Sequence, residues 1–124
     1  MTEKENIMKE SILFDKSRLF AIKIINLYKE VSSEKREFVM SRQVLRSGTS
    51  IGASISEARF AQSIPDFVSK LSISLKEANE TYYWLDLLIE TGYIDIDYGR
   101  SLKDECLELI RMLQASVKTS KAKL

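Results

Sequence analysis

Arg46-Ser47-Gly48-Thr49-Ser50-Ile51-Gly52-Ala53-Ser54-Ile55-Ser56-Glu57 sits inside a long helical pattern, yet small and polar residues dominate it. Each glycine costs a helix about 1 kcal/mol relative to alanine, so a helix that keeps two of them needs a packing reason. The spacing supplies one: another backbone passing very close. Gly48-x-x-x-Gly52 lacks the Lys-Ser/Thr ending that gives a phosphate-binding loop its chemistry. A break in the helix at residues 47–50 is the alternative to close packing. Either way the stretch belongs to a protein that works by packing against neighbours.

Working outward, glycine is scarce and Pro65 is the only proline, so long helices dominate. Four are predicted, over about residues 8–31, 34–60, 64–91 and 97–118. In the first, Leu13, Ser17, Phe20, Ile24, Leu27 and Val31 follow the four-and-three spacing of a packed face. Phe14, Ala21, Ile25 and Tyr28 widen that stripe and predict burial on more than one side. Ser32 or Ser33 is placed to cap the second helix. That helix carries a main stripe (Val44, Gly48, Ile51, Ile55, Ala58) and a second on nearly the opposite side (Arg46, Ser50, Ala53, Glu57). Two stripes mean two sets of neighbours.

Ser63 followed by Asp66 reads as a capping box, with Pro65 in the first turn, where its missing amide does no harm. Ile64, Val68, Leu71, Leu75, Ala78, Tyr82, Leu85 and Ile89 then keep heptad spacing, and Gly92 marks the stop. Asp95 or Asp97 caps the fourth helix, whose face is Tyr98, Leu102, Cys106, Leu109 and Leu113, extended by Val117. Residues 119–124 are expected to fray. Short connections between helices favour antiparallel neighbours, so the fold class is all-α: a single-domain, antiparallel up-and-down four-helix bundle over residues 1–124.

Composition bounds the chemistry. The chain has 124 residues, 44% hydrophobic and 30% charged, enough for one core. There is no histidine and one cysteine, Cys106, which excludes intrachain Ser-His-Asp and Cys-His arrangements, an intrachain disulfide, and a His/Cys zinc site. Glu77-x-x-Glu80 as a metal pair is the weaker reading for want of a nearby histidine. No catalytic residue, metal, cofactor or small-molecule substrate is expected, and the chain is read as a non-enzyme. A polar start and no apolar run of membrane-spanning length, roughly 20 residues, predict a cytoplasmic protein.

The net charge is +1, but it is unevenly placed. Residues 34–60 carry five basic and three acidic side chains, and residues 61–97 carry two basic and seven acidic. Helices two and three form a hairpin centred near residue 62, which brings Arg46 level with Ala78. Arg46 is therefore expected to pair with Glu77 or Glu80. Arg111, Lys118, Lys121 and Lys123 form an acid-free basic tail, the local candidate for nucleic-acid contact; a solvated helix end favoured by the dipole explains it equally well. Tyr82, Tyr83 and Trp84 offer stacking surfaces. Tyr82 lies on the core stripe, and Trp84 reads as an interface anchor on the Lys70 and Glu77 side.

Arg46-Ser47-x-x-Ser50-Ile51-x-Ala53 with Glu57-Ala58, Asp66-Phe67-x-x-Lys70-Leu71 and Lys76-Glu77-Ala78-x-Glu80-Thr81-x-x-Trp84-Leu85 resembles the bacterial 23S rRNA intervening-sequence proteins. Those are named for genes lying within insertions in large-subunit rRNA genes. The resemblance spans about residues 10–115 and is most specific over 45–85; many members have Asn where this chain has Ser54. Members are similar in turn to the accessory variability proteins of diversity-generating retroelements, strongly basic homopentamers that bind nucleic acid and a reverse transcriptase; this chain is nearly neutral. The resemblance implies a four-helix protomer, a homo-oligomer up to a five-fold ring, and no enzymatic activity.

Two functional expectations follow. The first is a homo-oligomeric scaffold whose interface or polar network uses Arg46, Ser50, Ala53, Glu57, Lys70, Glu77, Glu80 and Trp84. The second is an RNA- or DNA-binding accessory protein acting through the basic surface of the oligomer.

Overall fold

The structure, a computed structural model, describes residues 2–124. It contains α1 (Glu3–Glu34), α2 (Met40–Ala58), α3 (Ile64–Glu90) and α4 (Ile96–Lys121), with no strand among the described residues. Each helix packs on the next in chain order, and α4 closes back on α1 along the thinnest of the four seams. The result is an antiparallel four-helix bundle.

α2 runs unbroken through the glycine-containing stretch, so the close-packing reading holds and the broken helix does not. A Cβ built on Gly48 would lie 2.8 Å from Ile24 Cγ2 of α1. One on Gly52 would lie 3.3 Å from Ser17 Oγ. Ser17 is itself fully buried, and its hydroxyl donates to the Phe14 carbonyl at 2.8 Å. Small side chains on both helices let the two backbones approach.

The α2–α3 turn follows the expected chemistry. Ser63 accepts from the Asp66 amide at 3.1 Å, and Asp66 reaches back to the Gln62 amide at 3.2 Å. α3 ends in a Schellman arrangement around Gly92 (φ 80°), with Tyr93 N–H on the Leu88 carbonyl at 3.0 Å. Asp95 caps α4 by accepting from the Asp97 and Tyr98 amides.

Several expectations require correction. α1 begins at Glu3 rather than residue 8, because Thr2 caps it and no breaker follows. It also runs past Ser32 and Ser33, whose hydroxyls donate back to the Tyr28 and Lys29 carbonyls instead of capping α2. The chain turns at Arg36, in the left-handed region at φ 54°. The cap of α2 is the Glu37 carboxylate, accepting from the amides of Val39, Met40 and Ser41. α2 therefore starts at Met40, not at residue 34. α4 continues through Lys121, where fraying was expected, with Val117 and Ser120 both buried.

Two faces also differ. The buried centre of α3 includes Ser74, Thr81 and Leu88, while Leu75, Tyr82 and Ile89 are only partly covered and Ile64 is exposed. The wide apolar stripe of α1 is not covered on more than one side: Ile25 is exposed, and Phe14, Ala21 and Tyr28 are half-buried.

Gly48→Ala is expected to lower the melting temperature. Overpacking against Ile24, of about 1–3 kcal/mol, opposes a helix-propensity gain of about 1 kcal/mol. An unchanged or higher melting temperature by circular dichroism would mean that α1 and α2 are not held at this separation.

Candidate functional site

The α2–α3 seam gathers most of the residues singled out above. Its buried layer is hydroxylic. Ser74 Oγ donates to the Ile51 carbonyl of α2 at 2.8 Å. The Thr81 hydroxyl lies 2.8 Å from both Ser47 Oγ and the Glu77 carbonyl. The Ser74–Ile51 and Thr81–Ser47 contacts tie α2 to α3 at positions where bulkier side chains would hold them apart.

Outside this layer lies a charged one. Arg46 reaches both glutamates, Glu77 at 3.2 Å and Glu80 by a second guanidinium nitrogen. Trp84 Nε1 donates to the same Glu80 carboxylate at 3.1 Å and meets the Tyr83 ring edge-on, 5.3 Å between centroids. Lys70 lies 3.7 Å from Glu57. The antiparallel register places Glu57 by Lys70, Ile51 by Ser74, and Ser47 by Thr81. Arg46, Glu57, Lys70, Glu77, Glu80 and Trp84 thus form one strip along the seam. Of the other two residues, the Ser50 hydroxyl donates to the Arg46 carbonyl, while Ala53 is exposed. Arg46 remains half exposed, so these pairs contribute register more than stability.

The structure also shows a surface that the stripe analysis left out. Met8, Ile12, Leu19 and Ile22 are 58%, 45%, 56% and 40% exposed. They recur at four-and-three spacing, with Asp15 completing the row, and lie on one face of α1 beside the α4 seam. That spacing was present in the sequence, but Asp15 interrupts it and the longer Leu13-to-Val31 stripe masks it. The seam beside this face is clasped by Lys23 on Glu105 at 2.8 Å and by Lys16 on Glu108.

Arg111, Lys118, Lys121 and Lys123 are all exposed on α4 or just beyond it, and none forms an ion pair among the described residues. Also among the described residues, no group of three or more His, Cys, Asp or Glu side chains could hold a metal ion. No described helix is long and apolar enough to cross a membrane.

The matching family profile, over residues 9–115, is that of the 23S rRNA-intervening sequence protein. The chain belongs to this family. A crystal structure at 1.70 Å of a protein with unknown function, from the S23 ribosomal protein family of Bacteroides thetaiotaomicron VPI-5482, is similar: 53% identical, TM-score 0.87, covering 89% of this chain and 98% of that one. No curated protein matches. The Arg46-to-Trp84 strip of this intervening-sequence protein lies wholly inside the matched region.

Cys106 lies on the buried face of α4. Its thiol is fully buried and lies 3.2 Å from the Ala78 carbonyl, to which it donates. Burial pushes its pKa up to about 12. A hydrogen bond to Asp86 likewise raises Lys103, whose ammonium lies 4.8 Å from the Tyr82 ring centre. The folded thiol holds its proton where an unfolded one, with a pKa of about 8.5, has lost it. Its contribution to stability is therefore intact below about pH 8.5 and declines as pH rises toward 12. Denaturant titrations from pH 8 to 11 should show wild type losing stability relative to Cys106→Ala. Parallel pH profiles would contradict this burial.

Proposed function

We propose that this intervening-sequence protein is a non-enzymatic cytoplasmic scaffold that assembles with copies of itself and buries the outer face of α1. The observation that carries this reading is the row Met8, Ile12, Leu19 and Ile22 left in solvent. Apolar surface in water costs about 25 cal/mol per Å², and large exposed apolar side chains gathered on one helix face mark interaction sites. A chain of 124 residues also has limited means to bury its own surface. The α2–α3 strip pairs its charges inside the protomer, so a copy docking there meets a pre-organised polar surface with Ala53 and Trp84 at its edge. The resemblance to the accessory variability proteins expected from the sequence makes a five-fold ring the stoichiometry to look for.

Native mass spectrometry of gently purified protein should give a single homo-oligomer. Leu19→Glu combined with Ile22→Glu should shift it to monomer with helicity retained. A monomeric wild type, or an oligomer indifferent to both changes, would defeat this reading.

A second reading draws on the cations of the α4 tail, which form no ion pair among the described residues. We infer that assembly would multiply them into a surface for RNA or DNA, since linked weak sites gain strength through effective concentration. Binding to a single-stranded RNA oligonucleotide should then weaken steeply between 50 and 200 mM salt, about a counterion per neutralised phosphate. Removing residues 118–124 should flatten that slope. Binding that ignores salt, or no binding at 50 mM, would remove the nucleic-acid role.

A further inference from the structure

At the pole of the bundle bearing the α2–α3 turn, a cavity of about 590 Å³ opens between α1, α3 and α4. Its volume falls within the 300–1,000 Å³ typical of small-molecule sites. Ala58, Phe67 and Met112 give it an apolar floor, each buried or half-buried against the core. Ile64, exposed at the start of α3, extends that floor toward the mouth.

The rim has the opposite character. Lys9, Arg59 and Lys123 line it, with Glu10 as the one carboxylate among the described residues. None of the three cations forms an ion pair among the described residues. Arg59 is also held in place: its guanidinium carbon sits 4.3 Å from the centre of the Phe14 ring. Stacking fixes the plane of the guanidinium and leaves its N–H groups available at the edge. Two helices start at this pole and two end there, so their dipoles oppose one another and the sign of the site rests on side chains.

We propose that this cavity binds a small amphiphilic carboxylate, with its apolar body on Phe67 and Met112 and its carboxylate on Arg59 and Lys123. An apolar floor admits the body of such a molecule, and the cationic rim discriminates its head from neutral and cationic analogues of the same length. The proposal is independent of self-assembly, which is read by stoichiometry alone.

The test is isothermal titration of the full-length protein, in its native assembly, with octanoate, and separately with 1-octanol and octylammonium. Octanoate should bind with one site per chain, and octylammonium at least tenfold more weakly. Arg59→Gln should weaken octanoate by about tenfold, as loss of a charge-assisted contact implies, while Arg59→Lys retains most of the affinity. Ala115→Phe, which places a ring in the cavity, should abolish binding with the circular dichroism melt preserved. Methyl NMR should show the Met112 signal shifting on titration. The proposal falls if octanoate does not saturate, if octylammonium binds equally well, if Ala115→Phe binds normally, or if the shifts appear at Leu19 and Ile22 instead of Met112.

Discussion

The close approach of α1 and α2 at Gly48 and Gly52 is the constraint on which the rest of the bundle depends. With only 2.8 Å between Ile24 and the place a Gly48 Cβ would occupy, the separation of these helices is set by what is absent from α2. Drawing α2 in on one side brings Ser47 and Ile51 within reach of α3 on the other. There Thr81 and Ser74 bridge the gap with hydroxyls instead of methyl groups. Buried hydroxyls are tolerated because each finds a carbonyl or a second hydroxyl at normal hydrogen-bond distance. One helix thereby serves as the common wall of two tight seams.

The same geometry leaves the bundle uneven. α1 is committed to α2 by a narrow face centred on Ser17, Phe20 and Ile24, and it meets α4 along the thinnest seam. Two lysine–glutamate pairs clasp that seam at its surface. The broad apolar content of α1 exceeds what one face can hide, and the excess emerges as the row from Met8 to Ile22. Exposure on α1 and tight packing on α2 are thus two consequences of one arrangement, and the proposal of self-assembly follows from their combination.

The charged strip from Arg46 to Trp84 has a different part in this arrangement. Its pairs are half in water, where such interactions contribute about 0–1 kcal/mol. Their geometry gives them meaning: one arginine spans two carboxylates a helical turn apart, and the indole N–H takes the second of them. A slip of α3 by one turn would leave Arg46 facing at most one of the two glutamates, while the Trp84–Glu80 bond, internal to α3, would move with the helix. The strip reads as a register device whose outer edge is presented to whatever docks beside it.

Much of this was legible in residue order. The glycine pair announced a close neighbour, the Ser63-Pro65-Asp66 and Gly92 signals marked both ends of α3, and a hairpin argument placed Arg46 among the glutamates it meets. These are local or antiparallel-register facts, and short-range chemistry decides them. What residue order did not reveal depended on three-dimensional competition. Ser32 and Ser33 look like caps until α1 is seen to continue through them, because a serine hydroxyl is as readily satisfied by the carbonyl one turn back. The cap went instead to Glu37, a residue type seldom read that way. The outer row of α1 obeys the same spacing as the core row apart from Asp15, and only the positions of α2 and α4 decided which row was covered. The cavity rim likewise draws Lys9, Arg59 and Lys123 from three distant segments, and no pattern along the chain connects them. Sequence alone determined the helices and their order, because periodicity and turn chemistry are local; tertiary structure decided which apolar face stays in solvent and which cations share a rim, because those depend on how many neighbours each helix acquires.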